Sequence, residues 1–286
     1  MSIVMTSGGD GGGAHDRVQH AQSPWTEAAH TRWVSAGQPD LIYHANLDPD
    51  LDWLPPIHAR GVTVVGTIDD DTAVARCTTI ERLTLNTDCS LQLDLSGLPK
   101  LNAFGGVDRF LRSAHLPPSV QHLDLRRWKR QDLADVAHLN ALATLTLQSR
   151  RLRSLSGIEG LRLSRLTLMD ARLLANIESL GSQSATLTRL DLIGCRSLHE
   201  LEQLGRLHSL EILILRHCGK LESLAPLLSI PTLQVLAVDG DTEIADGDIA
   251  SMATKPGLRW MTVENFAKSY NFTRSRLPRD STVNFD

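Results

Sequence analysis

The chain has 286 residues, of which 42% are hydrophobic and 22% charged, with a formal net charge of −4. These are ordinary values for a folded protein, and no global field marks it for nucleic acid or a membrane surface. No run approaches the ~18 consecutive apolar residues of a membrane-spanning helix, and four cysteines in a chain this long are not a disulfide framework.

Residues 1–22 are rich in Gly, Asp, Gln and His without any period, and read as a disordered tail. The run Gly8-Gly9-Asp10-Gly11-Gly12-Gly13 has no strand before it and lacks the Gly-Lys-Ser/Thr ending of a phosphate loop. The first residues have too short an apolar stretch and too few positive charges for a signal peptide, so a cytoplasmic protein is expected. The sequon at Asn271 then carries no sugar. The basic residues are 24 Arg and 5 Lys, a skew associated with GC-rich bacterial genomes.

Residues 23–79 are expected to form an N-terminal cap and degenerate leading repeats. Ser23-Pro24-Trp25-Thr26-Glu27 offers an N-cap, a proline at the first helical position and an early acid. The helix they predict runs to about Val34, places Trp25, Ala29 and Trp33 on one face, and stops at Gly37 and Pro39. Strand candidates follow at Leu41-Ile42-Tyr43 and Val62-Thr63-Val64-Val65, about one repeat apart.

From residue 80 to 263 the motif Leu-x-x-Leu-x-Leu recurs. It is bare in Leu187-Thr188-Arg189-Leu190-Asp191-Leu192 and in Leu210-Glu211-Ile212-Leu213-Ile214-Leu215. Relaxed copies start at Ile80, Leu101, Val120, Leu142, Leu163, Leu233 and Leu258, so successive starts lie 19 to 25 residues apart. Alternating leucines make each motif a short strand with one face inward. Between strands the apolar spacing changes to threes, as in Leu198, Leu201, Leu204 and Leu207, which suits tight 3-10 turns. Leu173, Ile177 and Leu180 suggest an α-helical stretch instead. Leu101 to Gly106 is a poor copy where local irregularity is expected. Residues 264–286 are left as a C-terminal cap or tail.

These residues resemble the short, bacterial- or NLR-type leucine-rich repeat, most closely at Leu187-Leu192-Cys195-Leu198-Leu201 and Leu210-Leu215-Cys218-Leu221-Leu224. The resemblance implies an α/β solenoid, an arc or horseshoe with a parallel sheet on its concave face and short helical or 3-10 turns on its convex face. It also implies a surface that binds other macromolecules, usually proteins. It says little about which ones.

Few residues suggest chemistry, and no cofactor or metal is expected. Cys195 and Cys218 stand ninth in successive motifs, where the family places Asn or Cys beneath the turn; they read as structural. Cys77 and Cys89 make no Cys-x-x-Cys pair. The eleven histidines have no metal-site spacing. Asp69-Asp70-Asp71 reads as an exposed acidic turn rather than a cation site. No nucleophile–base arrangement is recognisable, so an enzyme is not expected.

The outward places of each strand are more informative. Places three, five and seven face the concave surface, and repeats are neighbours in space, so these places form rows. Ile212, Ile214, Val235, Ala237 and Trp260 then make one apolar island near the C-terminal end. Arg189, Asp191, Arg216, Asp239 and Glu264 ring it with both charge signs. An apolar centre with a charged rim is the anatomy of a protein interface. The alternative is that Phe266, Tyr270 and Phe272 fold back over the island as a cap. A second patch, a basic rim, gathers Arg126, Arg127, Lys129 and Arg130 from one strand exit with Arg150, Arg151 and Arg153 from the next. It is a solvated edge, a guide for an acidic protein, or a nucleic-acid site with Trp128 as its stacking aromatic. The reading adopted is a non-enzymatic, protein-binding scaffold, an immunity-type inhibitor or adaptor of a bacterial cytosol; the alternative is a nucleic-acid binder using the basic rim.

Overall fold

A computed structural model describes residues 19–22, 25–38, 40–45, 50–68, 72–87, 94–108 and 116–283. The glycine run, Asp69-Asp70-Asp71 and Cys89 lie outside them. Among the described residues twelve strands form one sheet in chain order, with parallel pairing throughout. They are β1 (Gln19–Gln22), β2 (Leu41–His44), β3 (Gly61–Gly66), β4 (Arg82–Thr87), β5 (Ala103–Val107), β6 (His122–Arg126), β7 (Thr144–Gln148), β8 (Arg165–Met169), β9 (Arg189–Ile193), β10 (Ile212–Arg216), β12 (Val235–Asp239) and β14 (Trp260–Val263). Two short strands, β11 (Lys220–Leu221) and β13 (Glu243–Ile244), pair separately where the chain leaves β10 and β12. This is the leucine-rich repeat solenoid that the motif spacing predicts.

The pattern has a simple cause. Alternate leucines of each strand, such as Leu83 and Leu85 or Leu190 and Leu192, point into one continuous aliphatic core. One repeat cannot cover its own apolar face, so its neighbours on both sides must supply the cover. Burying each such side chain contributes about 1.5–3 kcal/mol. The return segments are 3-10 turns at Ala134–Val136, Glu178–Gln183, Glu202–Arg206 and Ala225–Ser229. Strands stack at ~4.8 Å while the turns need more room, so the strand side is concave.

Several expectations change. Residues 19–22 are strand β1 rather than tail. Helix α1 (Glu27–Ser35) is capped by Thr26, whose hydroxyl accepts from the Ala29 amide at 3.2 Å; Ser23 and Pro24 lie outside the described residues. Glu178–Gln183 is a 3-10 turn, and Leu173 is exposed instead of helical and packed. A buried amide makes the tighter turn workable. Gln183 accepts from the Leu163 amide at 3.0 Å and donates to the Ile158 and Leu161 carbonyls at 2.9 and 3.1 Å, tying its turn to the previous repeat. The poor copy at residues 101–106 is irregular on one side, as expected: β5 pairs with β4 only through Ala103, Phe104 and Gly105, but with β6 along its whole length, Phe104 taking the inward position its leucine would hold.

The turn leaving the strand has a rule that the motif does not display. The eighth residue has positive φ in five repeats: Arg127, Asp170, Gly194, His217 and Gly240. In four of these repeats the left-handed step drops the ninth residue beneath the sheet, where Trp128, Ala171, Cys195 and Cys218 are buried; after Gly240 the ninth residue, Asp241, is exposed and Thr242 is buried instead.

At the far end, Phe266 packs edge-on to Tyr270 at 5.4 Å, and the Tyr270 hydroxyl accepts from the Ile244 amide at 3.0 Å. Tyr270 and Leu277 join the core, with Phe266 and Phe272 packed against it. The chain then returns antiparallel along β14, bridging Trp260 with Arg279, and the Met261 amide donates to the Pro278 carbonyl.

Candidate binding surface

The concave rows follow the predicted register. Row three runs Arg82, Ala103, His122, Thr144, Arg165, Arg189, Ile212, Val235, Trp260 through consecutive strand pairs. Row five runs Thr84, Gly105, Asp124, Thr146, Thr167, Asp191, Ile214, Ala237, Thr262 in the same pairs. Residues as far apart in sequence as Arg189 and Trp260 therefore share one surface.

The island is smaller than the sequence suggests. Ile212 is 9% and Val235 1% exposed, yet neither belongs to the leucine core. Val235 stands in its row between Ile212 and Trp260, in register with both. What remains half-buried on the concave side is Ile214, Ala237 and Trp260, continued by Ile193 and Met169. The aromatics Phe266, Tyr270 and Phe272 do not lie over this patch. Tyr270 reaches Ile244 of β13 on the descending side, so these rings close the end of the core instead.

The surrounding charges are mutually engaged. Arg189 Nε lies 3.1 Å from an Asp191 carboxylate oxygen, and Asp191 is buried. Arg216 pairs with Asp239 at 3.2 Å, and Asp239 also accepts from Thr262 at 3.0 Å. Glu264 is exposed and accepts from the Gly240 amide at 2.7 Å. Such pairs present a fixed pattern of donors and acceptors rather than loose charges. Further along row five, burial raises the carboxyl of Asp124, with Arg126 opposing it.

The basic rim divides in two. Arg127, Lys129, Arg150, Arg151 and Arg153 are exposed at successive strand exits, and Arg126 leans on Asn86. Arg130 is different. It donates to Asp108 at 2.7 Å and to Asp135 at 2.7 Å, and its guanidinium sits 5.4 Å from the Trp128 ring centre. The Asp108 side chain is 1% exposed and accepts from the Lys129 amide at 2.9 Å; burial raises its carboxyl despite Arg130 alongside. Trp128 itself is buried and donates to the Asp132 carbonyl at 3.1 Å, so it is no stacking platform. The signal for its burial was available: it stands ninth in its motif, in register with Cys195 and Cys218.

The three described cysteines, Cys77, Cys195 and Cys218, are free and buried. Burial pushes the Cys77 thiol up to about 12, and Cys77 donates to the Ala73 carbonyl at 3.1 Å. Cys195 and Cys218 are fully buried against each other, and the hydrogen bond from Cys195 to Cys218 together with burial raises Cys195.

Sequence reasoning missed one feature altogether. A cleft of about 300 Å³ opens at the C-terminal end of the concave face, lined by Asp239, Thr262, Val263, Glu264, Arg274 and Arg279. The run Arg274-Ser275-Arg276 with Arg279, just beyond the last motif, was the available cue.

No family model matches the sequence, and no curated protein matches it. Solved structures do. The leucine-rich repeat domain of the type III effector XopL is similar over 77% of this chain and 86% of its own, at 22% identity and a TM-score of 0.54. The chain has the leucine-rich repeat fold. In the TLR13–ssRNA13 complex, TLR13 is similar over 86% of this chain but 41% of its own, at 14% identity and a TM-score of 0.50. An internalin, InlF of Listeria monocytogenes, covers 80% of this chain at 17% identity with a TM-score of 0.45. No helix among the described residues is long and apolar enough to cross a membrane.

Proposed function

We propose that this leucine-rich repeat chain is a non-enzymatic scaffold that grips a partner protein on the C-terminal half of its concave face, as an immunity-type inhibitor or adaptor in a bacterial cytosol. One observation carries the reading: Ile214 and Ala237, in register in row five, form a half-buried apolar patch with Trp260 of row three on the next strand, bordered by the pairs Arg189–Asp191 and Arg216–Asp239. An apolar centre inside ordered charge pairs fits a protein surface better than a polyanion. Burying Ile214 and Trp260 would contribute about 1.5–3 kcal/mol each before the cost of association. The exposed rim of Arg127, Lys129, Arg150, Arg151 and Arg153 steers an acidic partner toward this face.

The test is affinity capture with Ile214→Asp and Trp260→Ala, each first shown to be folded by circular dichroism. Both lose the partner on this reading, and undiminished capture by folded variants overturns it. The nucleic-acid alternative rests on the same exposed arginines, and the burial of Trp128 counts against it. Binding that falls steeply with salt and disappears with Arg127→Gln, Arg150→Gln and Arg151→Gln, while Trp260→Ala is neutral, would establish it instead.

A further inference from the structure

We infer that the cleft beneath the C-terminal strap is a carboxylate site, in which Arg274 and Arg279 hold an acidic group of the bound protein. The assignment rests on the concave face being the binding surface. The cleft is lined by four side chains that can carry charge, and their states differ. Its two acids are already served: Asp239 by Arg216 and Thr262, Glu264 by the Gly240 amide. Its two guanidinia are not matched in this way. Among the described residues no ion pair joins Arg274 or Arg279 to an acid, and both are exposed.

Arg279 is oriented in advance, because its guanidinium lies 5.1 Å from the centre of the Trp260 ring and its backbone bridges that same residue. Arg274, at the start of the 3-10 turn Arg274–Arg276, lines the same cleft. Two such forks across a small cleft suit a planar carboxylate, which accepts paired N–H bonds from each. The acids decide against phosphate: Asp239 and Glu264 repel a dianion more strongly than a monoanion of the same reach. Arg279 lines the cleft and lies over the Trp260 ring, so the cleft is next to the apolar patch.

The test titrates the full-length chain with an N-acetylated tri-alanine bearing a free terminal carboxylate. Its terminal amide, an amidated peptide with one central glutamate, and inorganic phosphate are the comparisons, and the arginine Nε–H resonances are the readout. The expected result is saturable shifts at Arg274 and Arg279 with the carboxylate peptides and none with the amide. Binding weakens roughly tenfold or more in Arg274→Gln and in Arg279→Gln. Whichever carboxylate peptide binds tighter names the source, chain terminus or acidic side chain. Equal or tighter binding of phosphate overturns the assignment, and so do shifts of the same size at Arg150 or the absence of saturation. Because no partner is needed, failure here leaves the Ile214 and Trp260 reading standing, and undiminished capture by those variants leaves the cleft titration unaffected.

Discussion

Replacing Arg130 with Met should destabilise the repeat array and should do so less as the pH falls. The Asp108 carboxylate is 1% exposed and has Arg130 as its nearby cation, at 2.7 Å. Removing one partner of a fully buried pair costs about 3–5 kcal/mol. The Arg130 side chain is about one-third exposed, so screening reduces this to about 2–3 kcal/mol, with its stacking on Trp128 included. Burial has already raised the Asp108 carboxyl above its ordinary value. The folded chain therefore holds that proton more tightly than the unfolded chain. This contribution is present in full below the unfolded pKa and is lost as the pH rises through the folded one. Without Arg130 the folded pKa rises further, the window widens, and the penalty at neutral pH grows. Urea unfolding followed by tryptophan fluorescence should show the midpoint near pH 7 falling by about 1 M. The deficit should shrink towards the carboxylate range, and the double variant Arg130→Met with Asp108→Asn should recover most of it. Hydrogen exchange at the Lys129 amide, which donates to Asp108, gives a local reading. A variant as stable as the parent near pH 7, or a deficit unchanged on acidification, would refute the reasoning.

Other expectations are more compact. Gln183→Ala strands the Leu163 amide and two carbonyls in the core and should lower stability by about 2–4 kcal/mol, against less than 1 for the exposed Gln121→Ala, read by thermal unfolding. Gly240→Ala should cost more than Gly219→Ala although both have positive φ, because an added Cβ at 240 meets the His217 ring at 2.4 Å while none is crowded at 219; equal losses would remove the steric argument. Cys77, Cys195 and Cys218 should resist alkylation in the folded chain and react on unfolding, as mapped by peptide mass spectrometry; rapid native labelling of Cys195 would contradict its burial.

Much of the architecture was legible because leucine alternation and repeat length are both local. Once Leu190 and Leu192 point inward, Arg189 and Asp191 must point outward, and parallel stacking fixes their row neighbours. The accessibility of those rows was not legible. Val235 and Ile214 stand in adjacent outward rows, yet one is closed and the other half-open, since closure depends on the bulk of neighbours contributed by other repeats. Arg130 looked like part of a basic edge for a similar reason: its partner Asp108 stands 22 residues earlier in the most degenerate motif. The cleft arginines follow the last repeat, where periodicity has no more to say.

The strap at Arg279 also bears on how this protein can change length. Every internal strand offers its successor a parallel edge, but β14 is met by a chain running the opposite way. No further repeat can dock there without first evicting the strap, so a duplicated unit has to enter upstream of Arg259. Each unit gained between β7 and β14 would move the Trp260 patch another ~4.8 Å from the arginines at 150–153, and a partner that touched both would have to lengthen in step.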